Sequence, residues 1–177
     1  HGEVGTPVLE ALAEVVKTNN RLRRVVADAL DVARLEHGQW HPELQPVKLH
    51  QLLTRAEEEI RSELARKGLS YSRTGDASAL ILTDPEQAHR VLTTILRNAA
   101  QYTHEGGVTM HCAQQRGQCI VTVVDTGVGI QSALLPQLFA KPQLGHLLRG
   151  KGMSLYLARR LAKAMNADVT LVSSELE

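Results

Sequence analysis

Three short segments hold residues that could do chemistry together: Arg97-Asn98-Ala99-Ala100-Gln101-Tyr102-Thr103, Asp125-Thr126-Gly127-Val128-Gly129-Ile130 and Gly150-Lys151-Gly152-Met153-Ser154-Leu155. Asn98, on a helical pattern, offers a neutral carboxamide oxygen. That suits Mg²⁺, which takes oxygen ligands, keeps several waters and bridges to substrate phosphates. Asp125 closes the apolar strand pattern Cys119-Ile120-Val121-Thr122-Val123-Val124. A carboxylate there can accept a hydrogen bond from an exocyclic amine, and the glycines after it let backbone and ligand approach closely. Asp125 is therefore a candidate adenine reader. Gly150 and Gly152 precede a helix whose N-terminal amides and dipole favour an anion, so they fit a phosphate-binding role. Each piece alone is weak, since a glycine-rich turn after a strand is more often only a turn. In this order and at this spacing they read as a nucleotide pocket.

Residues from about 47 to 174 resemble the catalytic and ATP-binding domain of sensor histidine kinases, within the wider GHKL (Bergerat-fold) family that includes gyrase B, Hsp90 and MutL. The three segments match the N box and the two glycine boxes of that family, which has a mobile lid between the last two. Phe139, in Leu134-Leu135-Pro136-Gln137-Leu138-Phe139, stands at the F box. The resemblance implies Mg²⁺ and ATP as cofactors, γ-phosphoryl transfer to a histidine, and relay to an aspartate on a response-regulator receiver domain. It carries cofactor-binding roles to Asn98, Tyr102, Asp125, Gly127, Gly129, Ile130, Arg149, Gly150, Lys151, Gly152 and Met153. Asn98 takes the metal role, and Asn98 with Thr94 the catalytic positions.

The amino-terminal stretch Val26-Ala27-Asp28-Ala29-Leu30-Asp31-Val32-Ala33-Arg34-Leu35-Glu36-His37-Gly38-Gln39 resembles the end of the kinase dimerisation hairpin and its linker, which gyrase and Hsp90 lack. Val8, Leu12, Val15, Val16, Leu22, Val26, Ala29, Leu30 and Ala33 recur near helical spacing, so this stalk is expected to bury one face against partner helices in a homodimer. The competing reading is an amphipathic helix folded back on its own domain. Aligning the family's H box on Thr6-Pro7 puts Gly2, not His1, at the phosphoacceptor position, so the acceptor is expected outside this sequence. The distance from Thr6-Pro7 to Leu30-Asp31 is short for two helices, which favours a hairpin lacking its first arm.

Other departures bear on catalysis. Thr94, one helical turn before Asn98, replaces the amide or carboxylate usual in the family. Gln101 replaces a basic residue, Ser154 a glycine, and the stretch 139–150 is shorter than most lids. Two further readings therefore stand beside the kinase: a degenerate kinase acting as a regulatory heterodimerisation module, and a GHKL ATPase or serine kinase of the anti-sigma type.

The elements that must position these groups form a two-layer α/β sandwich preceded by a long amphipathic helix. Residues 1–40 are expected to be stalk and linker, and residues 41–177 the catalytic and ATP-binding domain. Within the latter we expect a short strand at Pro46-Val47-Lys48-Leu49, a helix from His50 to Lys67 closed by Gly68, and strands at 69–73 and 79–83. Asp84-Pro85 is an N-cap followed by proline at the first helical position. The helix it opens should bury Ala88, Val91, Leu92, Ile95, Leu96, Ala99 and Tyr102. A hairpin of strands 108–114 and 118–125 is joined by Gln115-Arg116-Gly117, and a helix from Met153 to Asn166 leads into a last strand at 167–173. The family's next strand is not expected here, which leaves an edge of the sheet open.

Composition sets outer bounds. The 177 residues are 43% hydrophobic with a formal net charge of +1, enough for one core plus a stalk and without the basic excess of a nucleic-acid or membrane-surface binder. No apolar run approaches the roughly 20 residues of a membrane span, so a cytoplasmic location is expected, as in the soluble part of a membrane-bound sensor. Cys112 and Cys119 are read as reduced structural thiols, and the scattered histidines show no metal-ligand spacing.

Overall fold

The computed structural model describes residues 6–141 and 153–172. The chain runs α1 (Thr6–Glu36), β1 (Gln45–Lys48), α2 (Leu49–Lys67), β2 (Ser70–Gly75), β3 (Leu80–Thr83), α3 (Pro85–Tyr102), β4 (Gly107–Gln115), β5 (Gln118–Asp125), a 3₁₀ turn (Ser132–Gln137) and α4 (Met153–Ala164). β1 and β3 pair antiparallel, with Pro46 opposite Leu82. A second sheet has the order β2-β4-β5, parallel between β2 and β4 and antiparallel between β4 and β5.

Local chemistry accounts for the boundaries. Gly68 adopts the left-handed conformation and returns its amide to the Leu64 and Ala65 carbonyls, closing α2. Asp84 Oδ1 accepts from the Glu86 and Gln87 amides at 3.1 Å each, with Pro85 at the first turn of α3. Its Oδ2 accepts the Glu43 amide at 3.1 Å, so one buried carboxylate starts α3 and pins the linker to it. Asp84→Ala is expected to lower stability by about 1–2 kcal/mol, the cost of a cap, read as a lower urea midpoint at unchanged m-value. The β4–β5 turn places Arg116 at φ 51° and Gly117 at φ 78°, the pair of positive values that a two-residue hairpin needs.

Two apolar clusters lie on either side of α3. In the first, Leu49, Leu53, Ala56, Ile60 and Leu64 of α2 meet Leu96, Ala99 and Ala100 of α3 over Val108, Met110 and Cys112 of β4. In the second, Val91 of α3 packs with Met153, Leu157, Ala158 and Leu161 of α4 and with Val32 of α1. Trp40 packs on this second cluster, as expected of a residue at the joint between stalk and domain.

Two expectations are corrected. Tyr102 is not part of the buried face of α3: it is 52% exposed, because the core-facing side at this helix end passes through Ala99, Ala100 and Thr103. Residues 167–172 form no strand among the described residues. Arg159 clamps Asp168 at 2.9 Å and Val169 packs on the second cluster, so side-chain contacts to α4 take the place of a ladder. Cys112 is buried in the first cluster and the half-buried Cys119 packs against it, with both thiols pushed up by burial.

The stalk divides in two. α1 is one uninterrupted helix of 31 residues, so no two-helix hairpin occurs within it. Val8, Leu12, Val15, Val16, Leu22, Val26 and Leu30 are each more than half exposed. Among the described side chains of α1, Ala29, Val32 and Leu35 turn onto the second cluster, so folding back on the same chain covers the base of the helix.

Candidate nucleotide site

α3 organises the site because Thr94, Asn98 and Tyr102 are spaced one turn apart along it. Thr94 and Asn98 line a cavity of about 660 Å³ walled by α1, α2, α3 and α4, together with Met153. The Asn98 amide nitrogen is buried there with no hydrogen-bond partner. A buried polar group of this kind is costly unless something satisfies it, so the carboxamide is poised for a ligand.

Tyr102 ends α3 where the β5 loop arrives. The Tyr102 carbonyl accepts the Val128 amide at 3.4 Å, and Asp125 Oδ1 accepts the Gly127 amide at 2.9 Å. A Cβ on Gly127 would lie 2.6 Å from Asp125 Oδ1 and 2.7 Å from the Tyr102 carbonyl oxygen, so glycine is required for this closeness. Gly129 has φ 68°, so here the loop uses the left-handed freedom of glycine. Thr126 Oγ1 donates to the Glu105 carbonyl at 2.8 Å and accepts the Gly107 amide at 3.0 Å, fixing the loop to the connection that leaves α3.

The predicted residues therefore gather in two neighbouring places. Asn98, Thr94 and Met153 share the cavity. Tyr102, Asp125, Gly127 and Gly129 belong to the loop at the end of α3, with the half-buried Ile130 following, and none of these lines the cavity. Arg149, Gly150, Lys151 and Gly152 lie outside the described residues. Phe139 lies beneath the Arg159 guanidinium, 4.9 Å from its ring centroid, and is thereby tied to α4.

Several residues at the site had no local sequence signal. Arg90 of α3 donates to Asp31 at 2.6 Å and Asp28 at 2.7 Å on α1, joining the catalytic layer to the stalk at the cavity wall. Burial opposes the charge on Arg90, but the two carboxylates hold its pKa above the ordinary value. Farther along α1, Glu36 accepts from Lys141 at 2.7 Å and Tyr156 at 3.0 Å, which holds its carboxyl below the usual range. Glu59 of α2 bridges Arg97 at 2.7 Å and His89 Nε2 at 3.1 Å, and all three line the cavity.

A mixed sheet covered by helices, a carboxylate at a strand end, a glycine loop and a carboxamide helix beside it define a nucleotide-binding α/β domain. The chain belongs to the histidine kinase-, DNA gyrase B- and HSP90-like ATPase family, whose characteristic sequence matches residues 83–177, more than half of it. It is 28% identical over 175 residues to an uncharacterised sensor-like histidine kinase of Rhizobium meliloti, covering 95% of this chain and 33% of that one. It is 27% identical to the sensor protein EvgS of Escherichia coli K12, covering 93% of this chain and 15% of that protein. The aerobic respiration control sensor protein ArcB of the same strain is 27% identical over 87% of this chain and 21% of its own length. The chain thus spans a third or less of these relatives. Because the matches run through the stalk as well as the domain, the branch is that of the sensor histidine kinase ATP-binding catalytic domains.

Among solved structures, full-length ShkA in complex with AMPPNP superposes with a TM-score of 0.77 at 23% identity, covering 93% of this chain and 35% of that one. The Acinetobacter baumannii histidine kinase AdeS gives 0.73 at 17% identity, covering 92% and 76%. These show the fold. No helix among the described residues is long and apolar enough to cross a membrane.

Proposed function

We propose that this chain binds Mg²⁺-ATP and, within its parent protein, passes the γ-phosphoryl group to a histidine for relay to a response-regulator receiver domain. Residues 1–40 serve as part of the dimerisation stalk and its linker, and residues 41–177 as the catalytic unit, on the cytoplasmic side. The observation that carries this reading is the pairing of the Asn98 side chain, whose buried amide nitrogen has no partner, with the Asp125–Gly127 loop at the end of the same helix.

In this reading Asp125 accepts the adenine amine through Oδ2, while Oδ1 stays committed to Gly127. Tyr102, Gly129 and Ile130 shape the base-binding end. Asn98 would hold Mg²⁺ through its carboxamide oxygen, and the ion would supply charge neutralisation for the phosphates. Among the described residues no group of three or more histidine, cysteine or acidic side chains could cage a metal, but Mg²⁺ held mainly by phosphates and water needs only one or two side-chain oxygens. Thr94, on the same face, orients the reacting group through its hydroxyl. Met153 starts α4 against the cavity, and the family resemblance alone assigns Arg149, Gly150, Lys151 and Gly152 to the phosphates.

The test is calorimetric titration of ATP with and without Mg²⁺. The unsubstituted chain is expected to bind, and more tightly with the metal. Asn98→Ala is expected to keep most of the metal-free affinity and to lose the Mg²⁺ enhancement, roughly tenfold for one charge-assisted contact. No binding by the folded protein would overturn the reading. Thr94 and Gln101, a hydroxyl and a neutral amide in the cavity wall, favour a regulatory relative as the second reading. Nucleotide binding without phosphotransfer to a supplied acceptor hairpin would select it.

A further inference from the structure

The last carbonyls of α3 can be accounted for one by one. A helix end leaves four carbonyls without intrahelical partners and concentrates negative potential there. α3 has no basic residue in its own last turn, and its C-cap Thr103 is extended, with no left-handed glycine to close the end. Ala99 O is taken by the Thr103 amide and hydroxyl, and Tyr102 O by Val128 of the loop. The remaining three go to a single group from another helix: Lys67 Nζ donates to Ala100 O at 2.6 Å, Gln101 O at 2.9 Å and Thr103 O at 3.2 Å.

Lys67 is free to do this because its own helix is closed without it. Gly68 returns its amide to Ala65 and Leu64. The ammonium, with three donors and no acceptor, is fully used on the three carbonyls flanking Tyr102. The Tyr102 carbonyl is also the atom on which Val128 and the constrained Gly127 rest. Gln101 supplies no charge at this helix end, so the cation comes from α2, 34 residues away in sequence.

The geometry points to Lys67 as a positioning residue for nucleotide binding: it fixes the end of α3 so that the Asp125–Gly129 loop holds its adenine-binding conformation. This rests on the nucleotide reading above and names a member of that site which touches no ligand. Lys67 acts on the Tyr102 backbone, and through Val128 and Gly127 on the orientation of Asp125. Losing it releases three carbonyls at one end of one helix, so the loop should loosen before the core does.

The experiment compares Lys67→Met and Lys67→Arg in the full chain, by ATP calorimetry and by amide exchange at Gly127 and Val128 against Leu53 and Met110 in the core. Lys67→Met is expected to weaken ATP binding about tenfold, as for loss of a charge-assisted hydrogen bond felt at one remove. Exchange should speed up at Gly127 and Val128 with Leu53 and Met110 unchanged, and Lys67→Arg should restore both readouts to within a few-fold. If Lys67→Met does not fold, Lys67→Gln, which keeps an NH₂ donor but no charge, is read the same way. Unchanged affinity with unchanged loop exchange overturns the inference, as does equal acceleration at loop and core, which would mark a merely structural lysine. If the unsubstituted chain fails to bind ATP, the proposed function fails, and the exchange comparison still decides whether Lys67 holds the loop.

Discussion

Asp125→Asn is expected to weaken ATP binding by about one to two orders of magnitude, from the roughly 1.5–3 kcal/mol of a hydrogen bond to a charged group. The carboxylate has a divided task. Oδ1 takes the Gly127 amide at 2.9 Å and holds the loop, while Oδ2 has no partner among the described residues. An asparagine oriented to keep the Gly127 bond must present its NH₂ where Oδ2 was, setting donor against the adenine amine donor. The fold should survive, because Asp125 is exposed and the loop keeps its Thr126 and Val128 bonds. Binding at full strength in a folded Asp125→Asn protein would refute the assignment. A second readout is selectivity: the substitution should narrow the preference for ATP over GTP, which presents an acceptor at that position.

Arg90→Leu is expected to free the stalk from the catalytic layer. Asp28 and Asp31 lie one turn apart on α1, their side chains 13% and 28% exposed, and the guanidinium fork of Arg90 reaches both. Without it Asp31 loses its cation and Asp28 loses the guanidinium at 2.7 Å, both carboxylates being partly desolvated. Removing one partner of a buried pair costs about 3–5 kcal/mol, and because Arg90 is itself 33% exposed we expect about 2 kcal/mol here. That corresponds to roughly a thirtyfold larger population with the stalk undocked. Distance measurements between spin labels on the exposed part of α1 and on β5 would show it as a second, broader population. Arg90→Lys should recover only part of the effect, since one ammonium does not match a two-carboxylate fork. An unchanged distance distribution in Arg90→Leu would show that the apolar contacts of Ala29, Val32 and Leu35 and the Glu36 bonds to Lys141 and Tyr156 hold the stalk without Arg90.

What the sequence makes legible here is local. The Asp84-Pro85 start, the Gly68 stop and the Arg116-Gly117 turn each depend on residues within four positions of one another, and each occurs as expected. Asn98, Thr94 and Met153 reach one cavity because a helical repeat and a motif spacing suffice to place them. The expectations that fail depend on distant partners. A strand at 167–173 needs a neighbour's edge, and its side chains go to α4 instead. Tyr102 fits the apolar period of α3, but at the helix end the buried side passes through Ala100 and Thr103 instead, which an apolar period does not reveal. Arg90 with Asp28, Glu36 with Lys141, and Lys67 with the end of α3 join residues 33 to 105 positions apart, and nothing in their immediate neighbours marks them.

α3 is sealed on one side by the cluster over β4 and on the other by the cluster under the stalk. A ligand seated on that helix would therefore be linked by mass action to both, adding about 2.7 kcal/mol at a hundred times its dissociation constant to any opening that disrupts the binding-competent helix. Occupancy of the pocket and adherence of the stalk base are then two readings of one equilibrium. Each must bias the other by the same factor, so whatever twists the exposed length of α1 also sets how tightly nucleotide is kept.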